Sequence, residues 1–72
     1  MEPISLQERF LGALQDQAIV ATFFLVNGFQ FKGTLTAFDK NVLVVESGGA
    51  QEMIYKHAVS TIVPSRPVDL AS

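Results

Sequence analysis

Short strand-forming runs, separated by turn residues, constrain the fold of this sequence more than any other feature. The runs lie at about 19–26, 29–37, 42–45, 51–55 and 58–63, and each contains β-branched or aromatic side chains. The segments between them carry Asn-Gly, Asp-Lys-Asn, Ser-Gly-Gly and Lys-His, and the first three of these are turn formers. The pattern predicts a mainly β domain, with five strands within about 19–63.

One helix is predicted ahead of the strands, over about residues 5–17. Ser5 and Glu8 have the spacing of a capping box, in which each side chain bonds the backbone N–H of the other residue. The apolar residues that follow recur with helical period on one face: Leu6, Phe10, Leu11 and Leu14. We expect residues 1–4 to be disordered, 5–64 to form the domain and 65–72 to be a short tail.

Glycines specify how the sheet turns and bends. Asn27-Gly28 predicts a two-residue type I′ hairpin turn, which needs positive φ at both positions. Gly33 interrupts the apolar side of the second strand, which Leu35 and Ala37 continue. Because a glycine in mid-strand marks a sharp bend, we expect a strongly bent antiparallel sheet that forms a small open barrel.

The small size of the chain indicates self-association. With 72 residues and no cysteine it has a limited core and no disulfides, and its single histidine cannot build a structural zinc site. The last two strands are expected at the sheet edges, and their runs 53–55 and 58–63 lack the charges that protect an exposed edge. Pairing of the fourth strand with the fifth strand of the next copy would be heterologous and would close into a ring.

Charge and motifs narrow the function classes. A net charge of −2 and a pI near 5.0 disfavour nucleic-acid binding, unless a ring focuses Lys56 and His57 at one axis. One histidine without a paired nucleophile argues against an enzyme, and no cofactor or metal is expected. No apolar run approaches the roughly 18 residues of a membrane span. No secretory signal is visible either, so we expect a soluble, cytoplasmic protein without a membrane partner.

A group of short motifs makes this sequence resemble the Hfq family of bacterial Sm-like RNA chaperones. The motifs are Ser5-Leu6-Gln7, Phe10-Leu11, Leu25-Val26-Asn27-Gly28-Phe29, Gly33, Phe38-Asp39, Tyr55-Lys56-His57-Ala58 and Ser60-Thr61. The resemblance implies an Sm-like fold in a ring-shaped homohexamer. It also implies a post-transcriptional regulator that brings small regulatory RNAs and mRNAs together, with the RNA-degradation or translation machinery as further partners.

The resemblance implies two RNA-binding faces, and the proximal, helix-bearing face surrounds the central pore. That face takes uridine-rich RNA in the family, and its motif falls here on Gln7, Lys56 and His57. The family has a base-stacking aromatic residue shortly after Phe-Asp, where this chain has Lys40 and Asn41. We therefore expect a weaker or altered uridine preference, because a lost stack costs about 1–3 kcal/mol per base, with Lys40 adding a phosphate contact.

The distal face binds adenine-rich RNA in the family, and the matching residues supply aromatic surfaces and hydrogen-bonding groups. These residues are Phe24, Asn27, Gly28, Phe29, Gln30, Phe31, Lys32, Gln51 and Thr61. Two roles remain open for Phe24, Phe29 and Phe31, namely packing between subunits and contact with RNA. The turn at 47–50 is one residue longer than is common in the family, so either Gln51 or Glu52 holds the expected place.

The remaining expectations concern the outer surfaces and one alternative function. The subunit interface is expected at Met53, Tyr55, Val59 and Ile62. The rim, where the family carries arginines near the end of the helix, has residues 15–18 without arginine, which predicts weak annealing of RNA strands. The alternative is a small protein-interaction barrel that binds peptides at a sheet edge or on its aromatic face.

Overall fold

The computed structural model describes residues 5–70, which form one helix followed by five strands. The elements are α1 (Leu6–Asp16), β1 (Val20–Leu25), β2 (Gln30–Phe38), β3 (Val42–Ser47), β4 (Ala50–Tyr55) and β5 (Val59–Pro64), with a 3₁₀ turn at Lys56–Ala58 between the last two. The mainly β fold with one leading helix is confirmed. The expected disorder of residues 1–4 lies outside the described residues.

Local backbone bonds cap both ends of α1. At its start, Ser5 Oγ accepts the Glu8 N–H at 3.1 Å, and Glu8 Oε1 accepts the Ser5 N–H at 3.2 Å, which is the predicted capping box. At its end, the Ile19 N–H donates to the Leu14 carbonyl at 3.2 Å. This bond spans Ala18, whose φ of +51° occupies the left-handed position that glycine usually fills.

The sheet is antiparallel, with strand order β4-β3-β2-β1-β5. The two outer strands are β4 and β5, as predicted. Register shifts occur in the β2–β3 and β1–β5 ladders, and such bulges bend a strand and increase its twist. The result is the bent, unclosed sheet of the predicted fold class.

One side of this sheet packs with α1 to form the core. Its buried residues are Leu11, Leu14, Ile19, Ala21, Phe23, Leu35, Leu43 and Val45. Leu6, which was predicted on the same helical face, is 66% exposed and borders a surface cavity. Among residues 5–70, α1 included, no helix is long and apolar enough to span a membrane.

The β1–β2 hairpin does not have the predicted type I′ turn. Of the two central residues only Gly28 has positive φ, at +96°. The Gly28 N–H donates to the Leu25 carbonyl at 3.0 Å, and Asn27 Oδ1 accepts the Phe29 N–H at 3.0 Å. The loop therefore has three residues, 26–28, and ends on a left-handed glycine.

A bulge in β2 overturns the predicted position of Ala37 on the core side. Leu35 and Ala37 oppose consecutive residues of β3, so Thr36 is an extra residue in the strand. The extra residue reverses the alternation of side chains. Ala37 is consequently exposed, and Phe38 packs against the core in its place.

Gly33 allows β2 and β3 to pack closely. The register shift between these strands lies further along β2, at Thr36. A Cβ at Gly33 would lie 2.5 Å from Val45 Cγ1 and 2.6 Å from the Glu46 carbonyl oxygen. Both distances are too short for non-bonded atoms. Only a residue without a side chain lets β3 approach β2 this closely.

Candidate functional site

Lys56 lies at the end of the sheet where β3 begins and β4 ends. Val42 and Tyr55 are paired there, and the Lys56 N–H donates to the Asn41 carbonyl at 2.8 Å. Lys56 Nζ lies 5.9 Å from the centroid of the Phe38 ring, which is within cation–π distance. The segment 38–41 therefore positions both the backbone and the ammonium group of Lys56.

Asp39 organises this segment. Its Oδ1 accepts the N–H of Asn41 at 2.7 Å and that of Val42 at 2.9 Å. These two backbone hydrogen bonds, followed by the charges of Lys56 and Lys40, lower the pKa of Asp39. The carboxylate thus holds the turn whose Asn41 carbonyl accepts the Lys56 N–H.

Gln7 and Lys56 border the same cavity of about 510 Å³, which lies between α1 and β5. Its apolar lining consists of Leu6, Phe10, Leu11, Leu43, Val59, Ile62 and Leu70. His57 is not among the lining residues. Its exposed ring stacks on that of Tyr55, with the ring centroids 5.6 Å apart. Gln7 and Lys56 border one cavity, Asn41 is bonded to the backbone of Lys56, and His57 lies on the adjoining 3₁₀ turn.

A second group of predicted residues lies on the side of the sheet away from the core. Phe24 is 36% exposed there, and strand pairing sets it opposite Gln30 on one side and Thr61 on the other. The next row along the strands pairs Thr22 with Lys32 and with Val63. We call this side of the sheet the outer face.

The outer face contains a depression of about 400 Å³. It is lined by Thr22, Phe24, Gln30, Phe31, Lys32 and Val63. Thr22 and Val63 were not predicted from the sequence. Strand alternation would have indicated both, because each lies two residues from a predicted outer-face residue, Phe24 or Thr61.

The aromatic residues near the hairpin separate into different roles. The Phe31 ring stacks on the buried Phe23 ring, with centroids 5.4 Å apart, so it packs on the core side while the residue borders the depression. Phe29 is 72% exposed at the hairpin. Asn27 and Gly28 shape the loop beside it. Phe24 is therefore the aromatic residue that strand register places on the outer face.

Strand register also distinguishes Gln51 from Glu52. Glu52 opposes Val45, whose side chain is fully buried, so Glu52 lies on the core side of its strand. Gln51 opposes Glu46 and shares the outer face with Phe24. Within one chain Gln51 lies on β4, at the opposite edge of the sheet from Thr61.

The predicted interface residues lie on the two outer strands. Met53 and Tyr55 on β4 are 60% and 53% exposed. Val59 and Ile62 on β5 are half-buried and pack against the core. The sheet thus has two outer strands with apolar residues, β4 at one end of the strand order and β5 at the other.

The chain after β5 returns along α1, which the sequence analysis did not foresee. Arg9 Nη2 donates to the Leu70 carbonyl at 2.9 Å, and Gln17 Nε2 donates to the Asp69 carbonyl at 3.2 Å. Val68 packs against the core. These partners are far apart in the sequence and no periodic pattern marks them, so only the structure reveals them.

No group of three or more histidine, aspartate or glutamate side chains that could hold a metal ion occurs within residues 5–70. The arrangement offers lysine ammonium groups, side-chain amides and, on the outer face, the ring of Phe24. These groups bind by charge, hydrogen bonding and stacking.

One helix on a bent, open, five-stranded antiparallel sheet with two free edges is the architecture of Sm-like proteins. The family model described as "Hfq protein" matches residues 6–69. A crystal structure of the pleiotropic translational regulator Hfq superimposes with a TM-score of 0.80 and 39% sequence identity, covering 82% of this chain and 98% of that chain. The chain belongs to the Hfq family.

Two relatives align with nearly the whole of this chain. The RNA-binding protein Hfq of Desulforudis audaxviator (strain MP104C) is 51% identical over 69 residues, which cover 96% of this chain and 83% of the relative. The RNA-binding protein Hfq of Alkaliphilus oremlandii (strain OhILAs) is also 51% identical over 69 residues, covering 96% of this chain and 86% of the relative.

Proposed function

We propose that this chain is an RNA-binding post-transcriptional regulator, an RNA chaperone that acts in the cytoplasm as a ring of six subunits. It binds uridine-rich RNA around Lys56 and adenine-rich RNA on the outer face, and so brings small regulatory RNAs and mRNAs together. One observation carries the proposal: two groups of solvent-accessible side chains lie on opposite sides of the sheet, with Gln7 and the half-buried Lys56 on the helix side and Phe24 and Gln30 on the outer face. The relatives named RNA-binding protein Hfq support it.

The free strand edges support the ring. Gln51 lies on the β4 edge and Thr61 on the β5 edge, both on the outer face. Pairing of β4 with β5 of the next copy brings Gln51 beside Thr61 of that copy and covers the exposed Met53. Closing the ring removes every unpaired edge.

The ring also explains how an acidic chain binds RNA at Lys56. Repetition of Lys56 around one axis concentrates positive charge, and local potential governs where phosphates bind. The Gln7 amide contacts a base edge, and His57 donates to a phosphate or a terminal hydroxyl. Lys40 adds a phosphate contact. Each further contact along one RNA is intramolecular, so weak single sites combine into tight binding.

On the outer face, Phe24 provides a stacking surface for purines. Gln30 and Thr61 flank it on the neighbouring strands and supply hydrogen bonds to base edges. Lys32 attracts the backbone, and Gln51 of the adjoining copy completes the site. Asn27, Gly28 and Phe29 form its border at the hairpin, and Phe31 supports it from the core side.

The test is fluorescence anisotropy with an adenine-rich RNA and a uridine-only RNA, each at two salt concentrations. Phe24→Ala should weaken binding of the adenine-rich RNA by about tenfold, since a base–aromatic stack contributes about 1–3 kcal/mol. It should leave the uridine RNA unaffected. Lys56→Ala should weaken binding of the uridine-only RNA and leave binding of the adenine-rich RNA unaffected, so each variant is the control for the other. Equal effects of both variants on both RNAs would contradict two separate faces.

A peptide-binding module is the second candidate, and the exposed Met53 and Tyr55 on the unpaired β4 edge favour it. Such an edge accepts an added strand from a peptide. RNA affinity falls steeply with added salt, because each neutralised phosphate releases counterions. Peptide binding through apolar side chains changes little with salt. Absence of binding to both RNAs would favour the peptide module.

A further inference from the structure

We infer that the side-chain amide of Asn41 reads the edge of a base in the uridine-rich site by hydrogen bonds. The inference rests on the proposed function, because it assigns a recognition role within the site around Lys56. On this inference the turn at 39–41 distinguishes one RNA base from another by hydrogen bonds to the base edge, and not by ring stacking.

The backbone of Asn41 is fixed on both sides. Its N–H donates to Asp39 Oδ1 at 2.7 Å, and its carbonyl accepts the Lys56 N–H at 2.8 Å. The residue is exposed, and its side-chain amide forms no hydrogen bond with any other part of residues 5–70. A rigid backbone thus presents an unengaged amide directly beside Lys56.

Comparison with Asn27 shows why this amide is unengaged. An asparagine at a turn commonly bonds its own backbone two residues on, and Asn27 does so through the Phe29 N–H at 3.0 Å. At 39–41 the carboxylate of Asp39 takes over that task by accepting two N–H groups. The Asn41 side chain is therefore not needed to form its turn and is available for a ligand.

The charges around Asn41 suit a nucleotide. Lys40 precedes it and Lys56 adjoins it, and both lie close enough to lower the pKa of Asp39. The Asp39 oxygen that faces the turn is already bonded to two N–H groups. The two lysines attract the phosphates of an RNA, and the bases of that RNA then come close to the uncharged amide of Asn41.

An amide carries a donor and an acceptor side by side. The uracil edge offers the complementary pair, an N3–H donor and the O4 acceptor, so Asn41 can bond it at two points. Gln7 borders the Lys56 cavity, so its side-chain amide can contact the same RNA as a second amide. A bidentate contact of this kind typically changes affinity by about tenfold.

The experiment compares a uridine-only RNA with the same RNA made from N3-methyluridine, by anisotropy. Methylation removes the N3–H donor while leaving the ring face for stacking. For the unaltered protein we expect methylation to weaken binding about tenfold. For Asn41→Ala we expect the effect to fall below about threefold, and for the matched variant Gln17→Ala, whose amide donates to the Asp69 carbonyl outside both RNA sites, to stay well above that. The adenine-rich RNA, bound on the outer face, verifies that each variant assembles.

The outcomes separate this inference from the proposed function. A methylation effect of the same size with and without the Asn41 side chain overturns the inference alone. Failure of the uridine RNA to bind the unaltered protein overturns both the inference and the proposed uridine site, while binding of the adenine-rich RNA in the same series still supports the outer face. Failure of both RNAs overturns the proposed function itself.

Discussion

Replacing Gly33 with alanine should destabilise the fold strongly, because the added methyl group has no space. Its Cβ would lie 2.5 Å from Val45 Cγ1 and 2.6 Å from the Glu46 carbonyl oxygen. Val45 is fully buried, and the Glu46 oxygen belongs to the backbone of β3, so neither atom can move aside cheaply. Overpacking of this kind costs about 1–3 kcal/mol, and contact with backbone places Gly33→Ala at the upper end of that range.

The loss is partly offset because alanine lowers the entropy of the unfolded chain by about 0.5–1 kcal/mol. The net destabilisation for Gly33→Ala is then about 2 kcal/mol, which corresponds to a Tm decrease of roughly 8–16 °C for a domain of this size. Gly12→Ala is the matched control. A Cβ at Gly12 meets nothing within 4 Å, and alanine is favoured in a helix, so this change should raise stability by about 0.5–1 kcal/mol.

Circular dichroism melts of both variants, at one fixed protein concentration, measure the two effects. The concentration is held constant because association shifts the apparent Tm. If Gly33→Ala melts within about 2 °C of the parent chain, the close approach of β2 and β3 does not constrain this position and the reasoning fails.

Three further predictions follow from the caps, the turn and the rim. Ala18→Gly should raise the free energy of unfolding by about 0.5–1 kcal/mol in chemical denaturation, because a left-handed φ of +51° is unfavourable for alanine; no gain would show that the strain is absent. Asp39 has a lowered pKa, so the folded state binds fewer protons and stability rises with pH. The stabilisation by Asp39 should be complete above about pH 5 and be lost progressively as the pH falls below about 4 and through the lowered pKa of Asp39, so Asp39→Asn should melt below the parent at neutral pH and converge with it in acid. Strand annealing should be slow in a stopped-flow assay, since residues 15–18 carry no arginine and Arg9 is bonded to the Leu70 carbonyl; rapid annealing would contradict this.

The parts of the fold that were predictable depend on neighbouring residues. Ser5 and Glu8 are three residues apart and form the expected capping box whatever the sheet does. Turn residues likewise marked the ends of the strands, because glycine, asparagine and aspartate favour turns through their own backbone and side-chain chemistry. Helix, strand number and outer strands follow from such local signals together with apolar periodicity.

The errors arose where pairing with another strand decides the conformation. Asn27-Gly28 marks a hairpin, but the register of β1 against β2 selects a three-residue loop with one left-handed residue. Thr36 is an ordinary strand residue by composition, and only its mismatch with β3 makes it a bulge that turns Ala37 outward. No local pattern in the sequence records either choice.

The residues proposed for the candidate site came from the resemblance, and the structure adds how they are arranged. The resemblance gave Lys56, Gln7 and Phe24, and the strand register then placed Gln51, and not Glu52, on the outer face. The free amide of Asn41 depends on hydrogen bonds made by Asp39, and the contact of Arg9 with the tail joins residues far apart in the chain. Such contacts can be identified only in the folded structure, because composition and spacing carry no information about them.

Native mass spectrometry of the protein mixed with one adenine-rich and one uridine-only RNA tests the central claim most directly. A ring with two independent faces predicts a species that contains six 7.8 kDa chains and one molecule of each RNA. Complexes that hold either RNA but never both would contradict the assignment of the RNAs to opposite sides of the sheet. Chains that remain monomeric with RNA present would contradict the ring on which both sites depend.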